Sequence, residues 1–322
     1  MTKLSEEEII DIFLEELKDK YNPGINLSLK DDVGEINKNY LFNTDGYSSF
    51  NSKYPWETWE DWGWKAVVGA ITDLIAKGAL PTVIGFSIGL PQQQDLEKIS
   101  RSIAKGIKEA CDAYQLRVIK ADTNRSKDDV WITVSSIGKL VIESPIPRSG
   151  VRGKAYVYVT EVNGFARLMT IYKKYLIGKL TYMQAKSLYR RPYAPIKFID
   201  LLHRFKIDAS IDSSDGLAYS LGLIARESKV KLILEHLPRP QSDLAFLFEL
   251  EEEIINEVLY GGEEYEIVFL TQYEPQEVIE ACNSTGIRCF YLGEAIPSHE
   301  NKVLYKNKDI KLRGWEHFHN SV

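Results

Sequence analysis

Cysteine is scarce in this sequence. Only Cys111, Cys282 and Cys289 occur among the 322 residues, and no two of them form a Cys-x-x-Cys pair. A small disulfide-rich fold or a zinc knuckle needs more cysteines at closer spacing. We therefore predict a reduced, intracellular protein whose cysteines are structural thiols.

Positive charge is not in excess, and long apolar runs are missing. Lys and Arg number 40 against 46 Asp and Glu, a net charge of −6, so we expect no basic field that attracts nucleic acid or anionic lipid. The longest uncharged stretch, residues 78–94, is interrupted by prolines and glycines and is too short to span a bilayer. The N-terminus has no signal-peptide pattern. These absences predict a cytoplasmic protein without nucleic-acid or membrane partners.

The common nucleotide and hydrolase motifs are also missing. The sequence contains no G-x-x-x-x-G-K-[ST] loop, no G-x-G-x-x-G after a predicted strand and no G-x-S-x-G elbow. Its five histidines, at positions 203, 236, 299, 317 and 319, follow no metal-site or triad spacing. A Walker or Rossmann site and a histidine general base are therefore not expected.

Hydrophobic periodicity predicts helices and strands on both sides of one linker. Residues 144–154 hold two prolines and two glycines without periodicity, so we place a domain boundary there. Before it we predict helices over 5–19 (with a Ser5–Glu8 capping box), 65–77 and from 96, and strands over 39–43, 82–90, 116–121 and 130–141. After it we predict helices over 164–205, from 215 and over 274–284, strands over 155–160, 230–234, 264–270 and 288–292, and a hairpin near Asn307. Two α+β domains with mixed sheets fit this order better than one doubly wound domain.

Aspartates recur where predicted strands end or helices begin. An aspartate at such a place often serves only as a helix cap or a turn former. As a set, however, they supply the hard carboxylate oxygens that Mg²⁺ prefers. The set predicts a site for several magnesium ions: Asp31, Asp32, Asp45, Asp73, Asp122, Asp212 and Asp215.

Asp73 and two loops leave alternatives open. Asp73 lies among apolar residues of a predicted helix, where it is either buried beside a cation or solvated and paired with Lys77 one turn later. Residues 213–217 open a helix whose N–H groups suit a phosphate, and the glycines of residues 261–266 allow close approach to a ligand. Capping and turn formation explain both loops as well.

These segments, in this order, resemble those of the thiamine-monophosphate kinases. This family belongs to a superfamily with aminoimidazole ribonucleotide synthetase, selenophosphate synthetase and a hydrogenase-maturation protein. Residues 29–32, 43–45 and 71–81 resemble its Gly-Asp-Asp, Thr-Thr-Asp and Ser-Asp-Ile-Ala-Ala-Met-Gly-Ala-x-Pro elements. Residues 122–123, 148–150, 211–217 and 261–266 resemble its Gly-Gly-Asp-Thr, Arg-Ser-Gly, Ile-Asp-Val-Ser-Asp-Gly-Leu and Gly-Gly-Glu-Asp-Tyr-Glu elements.

The resemblance implies a fold and an assembly. The fold would be a two-domain α+β fold like that of aminoimidazole ribonucleotide synthetase. Its N-terminal domain, residues 1–145, would bind ATP and magnesium and form a barrel with the same domain of a second copy in a homodimer. Its C-terminal α/β sandwich domain, residues 146–322, would close the active site.

The resemblance also implies an activity and site residues. ATP would phosphorylate thiamine monophosphate to the diphosphate, with no protein group acting as general base. The implied magnesium ligands are Asp31, Thr44, Asp45, Asp73, Asp122, Asp212 and Asp215. The implied ATP contacts are Asp122, Arg148 and Ser214. The implied substrate contacts are Ser52, Glu263 and Trp315.

The sequence departs from the family pattern around the nucleotide and the substrate. Lys30 and residues 120–121 replace glycines, and Asn43 replaces a threonine. Residues 48–52 stand where the family has a substrate-binding histidine. Two other functions therefore remain open: a related ATP-dependent synthetase, and an inactive or altered-substrate paralogue that binds nucleotide.

Overall fold

The first half of the chain forms an open five-stranded sheet with helices on one face. The structure, a computed structural model, describes residues 4–28, 30–92 and 95–315. The elements are α1 (Glu6–Glu16), β1 (Gly34–Asn37), β2 (Tyr40–Ser48), α2 (Ser49–Ser52), α3 (Trp59–Ala76), β3 (Ala79–Pro91), α4 (Leu96–Tyr114), β4 (Arg117–Ser126) and β5 (Trp131–Leu140). The sheet order is β1-β2-β5-β3-β4, and only β3 and β4 are parallel.

The second half forms a mixed seven-stranded sheet. Its elements are β6 (Ala155–Thr160), α5 (Arg167–Leu176), α6 (Tyr182–Leu188), α7 (Phe198–Leu201), β7 (Ala209–Ser213), α8 (Leu217–Ser228), β8 (Val230–Leu234), a 3₁₀ helix (Ser242–Leu247), α9 (Glu251–Tyr260), β9 (Glu266–Thr271), α10 (Pro275–Thr285), β10 (Cys289–Pro297), β11 (Val303–Tyr305) and β12 (Lys308–Asp309). The strand order is β12-β11-β8-β10-β6-β9-β7.

Helix α3 lies between the two sheets and is buried on nearly every side. Thr58 and Asp61 form a capping box at its start, and it packs on β2, β3 and β5 of the first sheet and on β7 and β9 of the second. Such a helix is apolar all round, so the few charged residues that it carries need partners. Lys65 and Asp73 lie on this helix, and Lys77 caps its C-terminus.

Most predicted elements are present, with some differences. The capping box of Ser5 and Glu8 is confirmed, and the hairpin turns at Lys306 and Asn307, both with positive φ. The sequence did not predict β1, α2, β7 or α9. Among the described residues, no helix is long and apolar enough to cross a membrane.

The prediction of three free thiols is wrong for two of the cysteines. Cys282 at the end of α10 and Cys289 at the start of β10 form a disulfide, with their Cα atoms 6.1 Å apart. The turn between α10 and β10 brings the two Cα atoms within the usual distance for a disulfide. No sequence signal indicated this pairing, because the two cysteines do not form a Cys-x-x-Cys motif. Cys111 is a buried free thiol, as predicted.

Candidate active site

Two adjoining cavities lie where α3, the first sheet and the second sheet meet. The larger has a volume of about 800 Å³ and the smaller about 310 Å³. Both are lined by the same five polar residues: Asp45, Asp73, Asp212, Ser214 and Asp215. The smaller cavity also contacts Asp32, Thr44 and Arg148, and the larger contacts Ser52, Glu263 and Trp315. The structure thus brings together most of the residues singled out in the sequence.

Strand β2 and helix α3 position one side of the acidic cluster. Asn43 is buried on β2, and its Nδ2 donates to Asp73 Oδ2 at 2.6 Å and to the Ala70 carbonyl at 3.2 Å. Asp45 follows two residues later on the same face of the strand, because side chains in a strand alternate. The asparagine that replaces the family's threonine is therefore a fixed partner of Asp73.

Three backbone segments meet at the other side of the cavities. The Glu263 N–H donates to the Ser214 carbonyl at 2.6 Å, and the Trp315 N–H donates to the Asp215 carbonyl at 3.0 Å. Glu263 and Tyr265 adopt positive φ angles of 61° and 53°, which is uncommon for residues with a side chain and is concentrated at functional sites. The loops at 213–216 and 261–265 are thereby held against the tail at 313–315.

Four carboxyl groups of the cluster have no cationic partner. Asp45, Asp73, Asp212 and Asp215 make no ion pair with a lysine or arginine in the described ranges. Burial, followed by the charges of neighbouring aspartates, raises the pKa of Asp73 and of Asp212 well above the ordinary value. Burial raises the pKa of Asp45 to about 6 and that of Asp215 to about 7. We call these four residues the open carboxylate group.

Asp31 and Asp32 are in a different electrostatic environment. Lys77 Nζ lies 2.8 Å from Asp31 Oδ1 and 2.7 Å from Asp32 Oδ2. Arg148 lies 3.7 Å from Asp31 and 3.3 Å from Glu227. Burial opposes ionisation of Asp31, but the charges of Lys77 and Arg148 outweigh it and lower the Asp31 pKa. We call Asp31 and Asp32 the paired carboxylate group.

The alternative that Lys77 pairs with Asp73 one turn earlier is wrong. The Lys77 side chain leaves the end of α3 and turns to the paired carboxylate group and to the Ser210 carbonyl. Asp73 is half-buried, has no lysine or arginine partner in the described ranges, and accepts a hydrogen bond from Asn43. Of the two sequence hypotheses for Asp73, the structure therefore retains the buried carboxylate that needs a cation.

Glu263 belongs to a third charged group at the larger cavity. Lys65 Nζ is fully buried and lies 3.0 Å from Glu263 Oε2 and 3.2 Å from Glu57 Oε1. The ammonium also lies 4.7 Å from the centre of the Tyr54 ring. Burial raises the pKa of Glu57, whereas Glu263 is partly exposed and presents its negative charge to the larger cavity beside the aromatic wall. That charge is suited to a cationic ligand.

Ser52 lies at the larger cavity, but its polar atoms already have partners. Its hydroxyl donates to the Ser48 carbonyl at 2.8 Å and accepts from Trp62 Nε1 at 3.0 Å. Its carbonyl accepts from Lys65 Nζ at 2.5 Å. Contact of Ser52 with a substrate stays a prediction.

Thr44 and Asp122 are less closely associated with the cluster. Thr44 contacts the smaller cavity, but its hydroxyl lies 3.1 Å from Ser135 Oγ. Asp122 is exposed on β4, which is separated from β2 by the two strands β5 and β3, and it accepts from Ser87 Oγ at 3.2 Å. It is not among the described residues that line either cavity. Within a single chain the structure thus does not bring Asp122 to the other aspartates.

Sequence reasoning missed part of the site. Lys65 and Glu57 were not singled out, and neither were the aromatic and sulfur-containing side chains of the larger cavity: Tyr47, Tyr54, Met169, Tyr260 and Tyr265. One signal was present: Lys65 is a lone charge between Trp64 and Ala66 in an apolar helix. A charge with apolar neighbours on both sides is typical of a buried ion pair.

The donor chemistry fits magnesium at the open carboxylate group but not at Asp31. No three described His, Cys, Asp or Glu side chains form a ready-made metal site. Mg²⁺ commonly takes only one or two carboxylates and completes its shell with water and phosphate oxygens. Buried carboxylates without a cation meet that need, whereas the Asp31 side chain is already occupied by Lys77.

Comparisons with known proteins show which family the chain belongs to. Residues 30–140 match the family described as AIR synthase related protein, N-terminal domain. The chain is 27% identical to a thiamine-monophosphate kinase of Nitrosopumilus maritimus, covering 99% of this chain and 100% of that one. It is 30% identical to a thiamine-monophosphate kinase of Pyrococcus horikoshii, covering 98% and 97%.

A solved structure shares the fold. The structure described as AaThiL complexed with AMPPCP and TMP superposes with a TM-score of 0.80 at 23% sequence identity, covering 99% of both chains. The predicted α+β fold like that of aminoimidazole ribonucleotide synthetase is confirmed. The boundary between residues 145 and 146 stays a prediction, as do the roles of individual site residues.

Proposed function

This chain belongs to the thiamine-monophosphate kinase family, and from that premise we propose that it transfers the γ-phosphoryl group of ATP to thiamine monophosphate. The products would be thiamine diphosphate and ADP. The observation that carries the proposal is the open carboxylate group, in which Asp212 is buried and the other three acids are half-buried, all without a lysine or arginine partner in the described ranges, beside a cavity large enough for a substrate. Buried charges of one sign are costly unless a ligand neutralises them.

We assign magnesium to the open carboxylate group. Asp45, Asp73, Asp212 and Asp215 would hold the ions together with phosphate oxygens. Bound magnesium supplies charge neutralisation between donor and acceptor phosphates and a template for in-line transfer. Asn43 supports this arrangement, because its amide holds the Asp73 carboxylate at 2.6 Å. The number of ions and any contribution of Thr44 or Asp122 stay predictions.

Arg148 and Ser214 are assigned to the nucleotide phosphates. Arg148 lines the smaller cavity, and its buried Nη2 has no hydrogen-bond partner among the described residues. A planar guanidinium with a free donor suits a phosphate oxygen. Ser214 lies at the start of the loop before α8, where it contacts both cavities.

We assign the thiamine end to the larger cavity. The Glu263 carboxylate is partly exposed at this cavity and would face the cationic thiazolium ring. Trp315 and Tyr54 line the same space, and aromatic faces attract organic cations. Lys65 is a positioning residue in this proposal, because it holds Glu263 at 3.0 Å.

The chemistry needs no protein base. The acceptor is a phosphate with a second pKa near 6, so it is mostly ionised and nucleophilic at pH 7. No histidine lines either cavity in the described part of the chain. The site would hold the two phosphates in line for the transfer. It would also exclude water, and its position between the two sheets favours that exclusion.

We further propose a homodimer formed through the first sheet. The edge strand β4 is exposed along almost its whole length, including Val118 and Ile119. An exposed apolar edge strand is usually covered by another chain or element. A second copy there would supply the barrel that the family resemblance implies. A cytoplasmic location also stays a prediction.

Phosphorus NMR tests the proposed reaction. Purified protein is incubated with ATP, Mg²⁺ and thiamine monophosphate, beside a control without the acceptor and a matched Asp45→Asn protein. Thiamine diphosphate and ADP should form only with the unaltered protein and the acceptor. ADP and inorganic phosphate in both acceptor conditions would favour a related ATP-dependent enzyme, and binding without turnover would favour a nucleotide-binding paralogue.

A further inference from the structure

The ammonium of Lys77 is completely enclosed by oxygen atoms. Its side chain is fully buried, and Nζ lies 2.6 Å from the Ser210 carbonyl, 2.8 Å from Asp31 Oδ1 and 2.7 Å from Asp32 Oδ2. An ammonium has three N–H donors, so these three oxygens use its full capacity. Two of the three are carboxylates that the family resemblance assigns to, or near, a magnesium ion.

We propose that the Lys77 ammonium is a built-in cation that takes the place of a divalent ion between Asp31 and Asp32. Asp31 is then a ligand of lysine and not of magnesium in this chain. The inference rests on the proposed function only in expecting divalent ions at the neighbouring open carboxylate group. It concerns how many ions bind and where, and does not depend on which substrate is phosphorylated.

Asp31 has little capacity left for a metal. Its Oδ1 also accepts from the Asp32 N–H at 2.9 Å, and its Oδ2 accepts from the Arg148 N–H at 3.3 Å. The side chain is fully buried. A divalent ion at Asp31 would have to displace the ammonium, which then would lie buried without a counter-ion at a large cost.

The end of α3 holds the ammonium in place. Lys77 is the C-terminal cap of α3, and its N–H donates to the Asp73 carbonyl at 3.0 Å. A cation at a helix C-terminus is stabilised by the helix dipole. Gly78 then turns the chain with φ of 84°. The position of the ammonium is thus set by the helix rather than by solvent.

Asp32 marks the border between the two carboxylate groups. One oxygen contacts Lys77, while the side chain keeps 14% of its surface exposed at the smaller cavity. Its charge acts on Asp45, Asp73 and Asp212. Divalent ions are therefore expected on the side of Asp32 that faces the open carboxylate group, and the ammonium on the other side.

Counting bound Mn²⁺ tests the inference without any assay of activity. Mn²⁺ prefers the same oxygen ligands as Mg²⁺, and free Mn²⁺ is measured by electron paramagnetic resonance during titration of the whole protein. We expect Lys77→Met to bind one Mn²⁺ more per chain than the unaltered protein. Lys105→Met, which removes an exposed ammonium on α4, should not change the number. An unchanged number in Lys77→Met would overturn the inference.

A second variant covers a failure of Lys77→Met to fold. Asp31→Asn has the same shape and still offers an oxygen to Lys77. It should bind as many Mn²⁺ ions as the unaltered protein, with affinities within about twofold, whereas Asp45→Asn should lose at least one ion. Loss of an ion from Asp31→Asn, matching that from Asp45→Asn, would show that Asp31 is a metal ligand and would overturn the inference.

Failure of the proposed function has a different signature. An unaltered protein that binds no Mn²⁺ would contradict magnesium at the open carboxylate group. The built-in cation would then be judged on Lys77→Met alone: one ion gained supports it, and none gained overturns it.

Discussion

Two neighbouring sets of aspartates in this protein solve the problem of buried negative charge in opposite ways. The paired carboxylate group, Asp31 and Asp32, receives its cations from the chain itself, through Lys77 and Arg148. The open carboxylate group has no lysine or arginine partner in the described ranges, and its pKa values are raised. Acids that are neutralised internally contribute to the fold, whereas acids that are not neutralised are available to a ligand.

The sequence motifs indicated the aspartates of both groups as magnesium ligands, but the structure shows that the two groups differ in their cationic partners. Burying a carboxylate without a counter-charge costs several kcal/mol, so such residues persist where function requires them. A carboxylate beside an ammonium at 2.8 Å has its charge compensated before any ligand arrives. We expect mutations in the two groups to affect different quantities, activity in one and stability in the other.

The largest expected effect is loss of turnover in the open carboxylate group. Asp45→Asn should reduce kcat at least about a thousandfold, or about 4 kcal/mol, because it removes a metal ligand from the transition state. The metal-free protein should be as stable as before or more stable, because a buried charge is removed. Kinetics of ADP release and thermal melts measure the two quantities.

Asp112→Asn is the matched control, since Asp112 is exposed and, among the residues that the structure describes, forms an ion pair only with Lys108 on the surface of α4. It should leave both quantities unchanged. A melting temperature lowered by Asp45→Asn, or an unaltered rate of turnover, would contradict the expectation that the open carboxylate group affects activity and the paired carboxylate group affects stability.

The next largest effect is loss of stability in the paired carboxylate group. Lys77→Met should lower the free energy of unfolding of the metal-free protein by about 3 kcal/mol, because breaking a buried ion pair leaves uncompensated charges. Urea denaturation measures the change. Lys108→Met, which removes an exposed ammonium, should change it by less than about 0.5 kcal/mol. If the two variants lowered the free energy of unfolding equally, Lys77 would contribute no more to stability than an exposed lysine.

The separation of the two groups was not visible in the sequence. Local signals predicted the local features, such as the capping box at Ser5 and the limits of β6 and β8, which agree to the residue. Lys77 offered a local partner at Asp73, one turn away, and its actual partners are more than forty residues earlier in the chain. Hydrophobic periodicity predicts which face of a helix or strand is buried, but it does not predict which distant loop packs against that face.

The candidate site shows the same limit. Most of the aspartates that the motifs indicated lie at the cavities, although they come from different parts of their elements: Asp45 from within β2, Asp73 from the last turn of α3, and Asp215 from the loop after β7. The motifs did not show that Asp122 lies on an edge strand away from the cluster, since strand order depends on tertiary packing. Strand β1 has only four residues, which is too few to show a clear alternation of apolar and polar side chains. Helix α9 starts with three glutamates and has no side-chain hydrogen bond at its N-cap, so the sequence gives no clear signal for its start.

Glu263 extends the comparison to a carboxylate that shares its cation. Glu263→Ala should raise KM for thiamine monophosphate about tenfold, or about 1.4 kcal/mol, and raise KM for ATP by less than twofold. In the proposed function, Glu263 would face the cationic ring, while the nucleotide phosphates would lie at the smaller cavity. Steady-state kinetics with each substrate varied in turn measures both values. An equal rise in both would remove Glu263 from the acceptor end.

The smallest expected effect is the pH dependence of the metal-free protein. Folding raises the pKa of Asp45 to about 6 and of Asp215 to about 7, against an ordinary 3.8. Between about pH 4 and pH 7 the folded chain therefore binds more protons than the unfolded chain, and stability falls as the pH rises through these values.

Asp31 has a lowered pKa and acts in the opposite direction, but its contribution is complete above about pH 4. Urea denaturation in the presence of a chelator should therefore show stability decreasing by about 1 kcal/mol from pH 5 to pH 8, a modest change because Asp45 and Asp215 are only half-buried. Added Mg²⁺ should stabilise the protein more at pH 8 than at pH 5, since the ions bind ionised carboxylates and compete with protons. Stability that rises over this range without metal would mean that the open carboxylate group has internal counter-ions after all, and the contrast with the paired group would disappear.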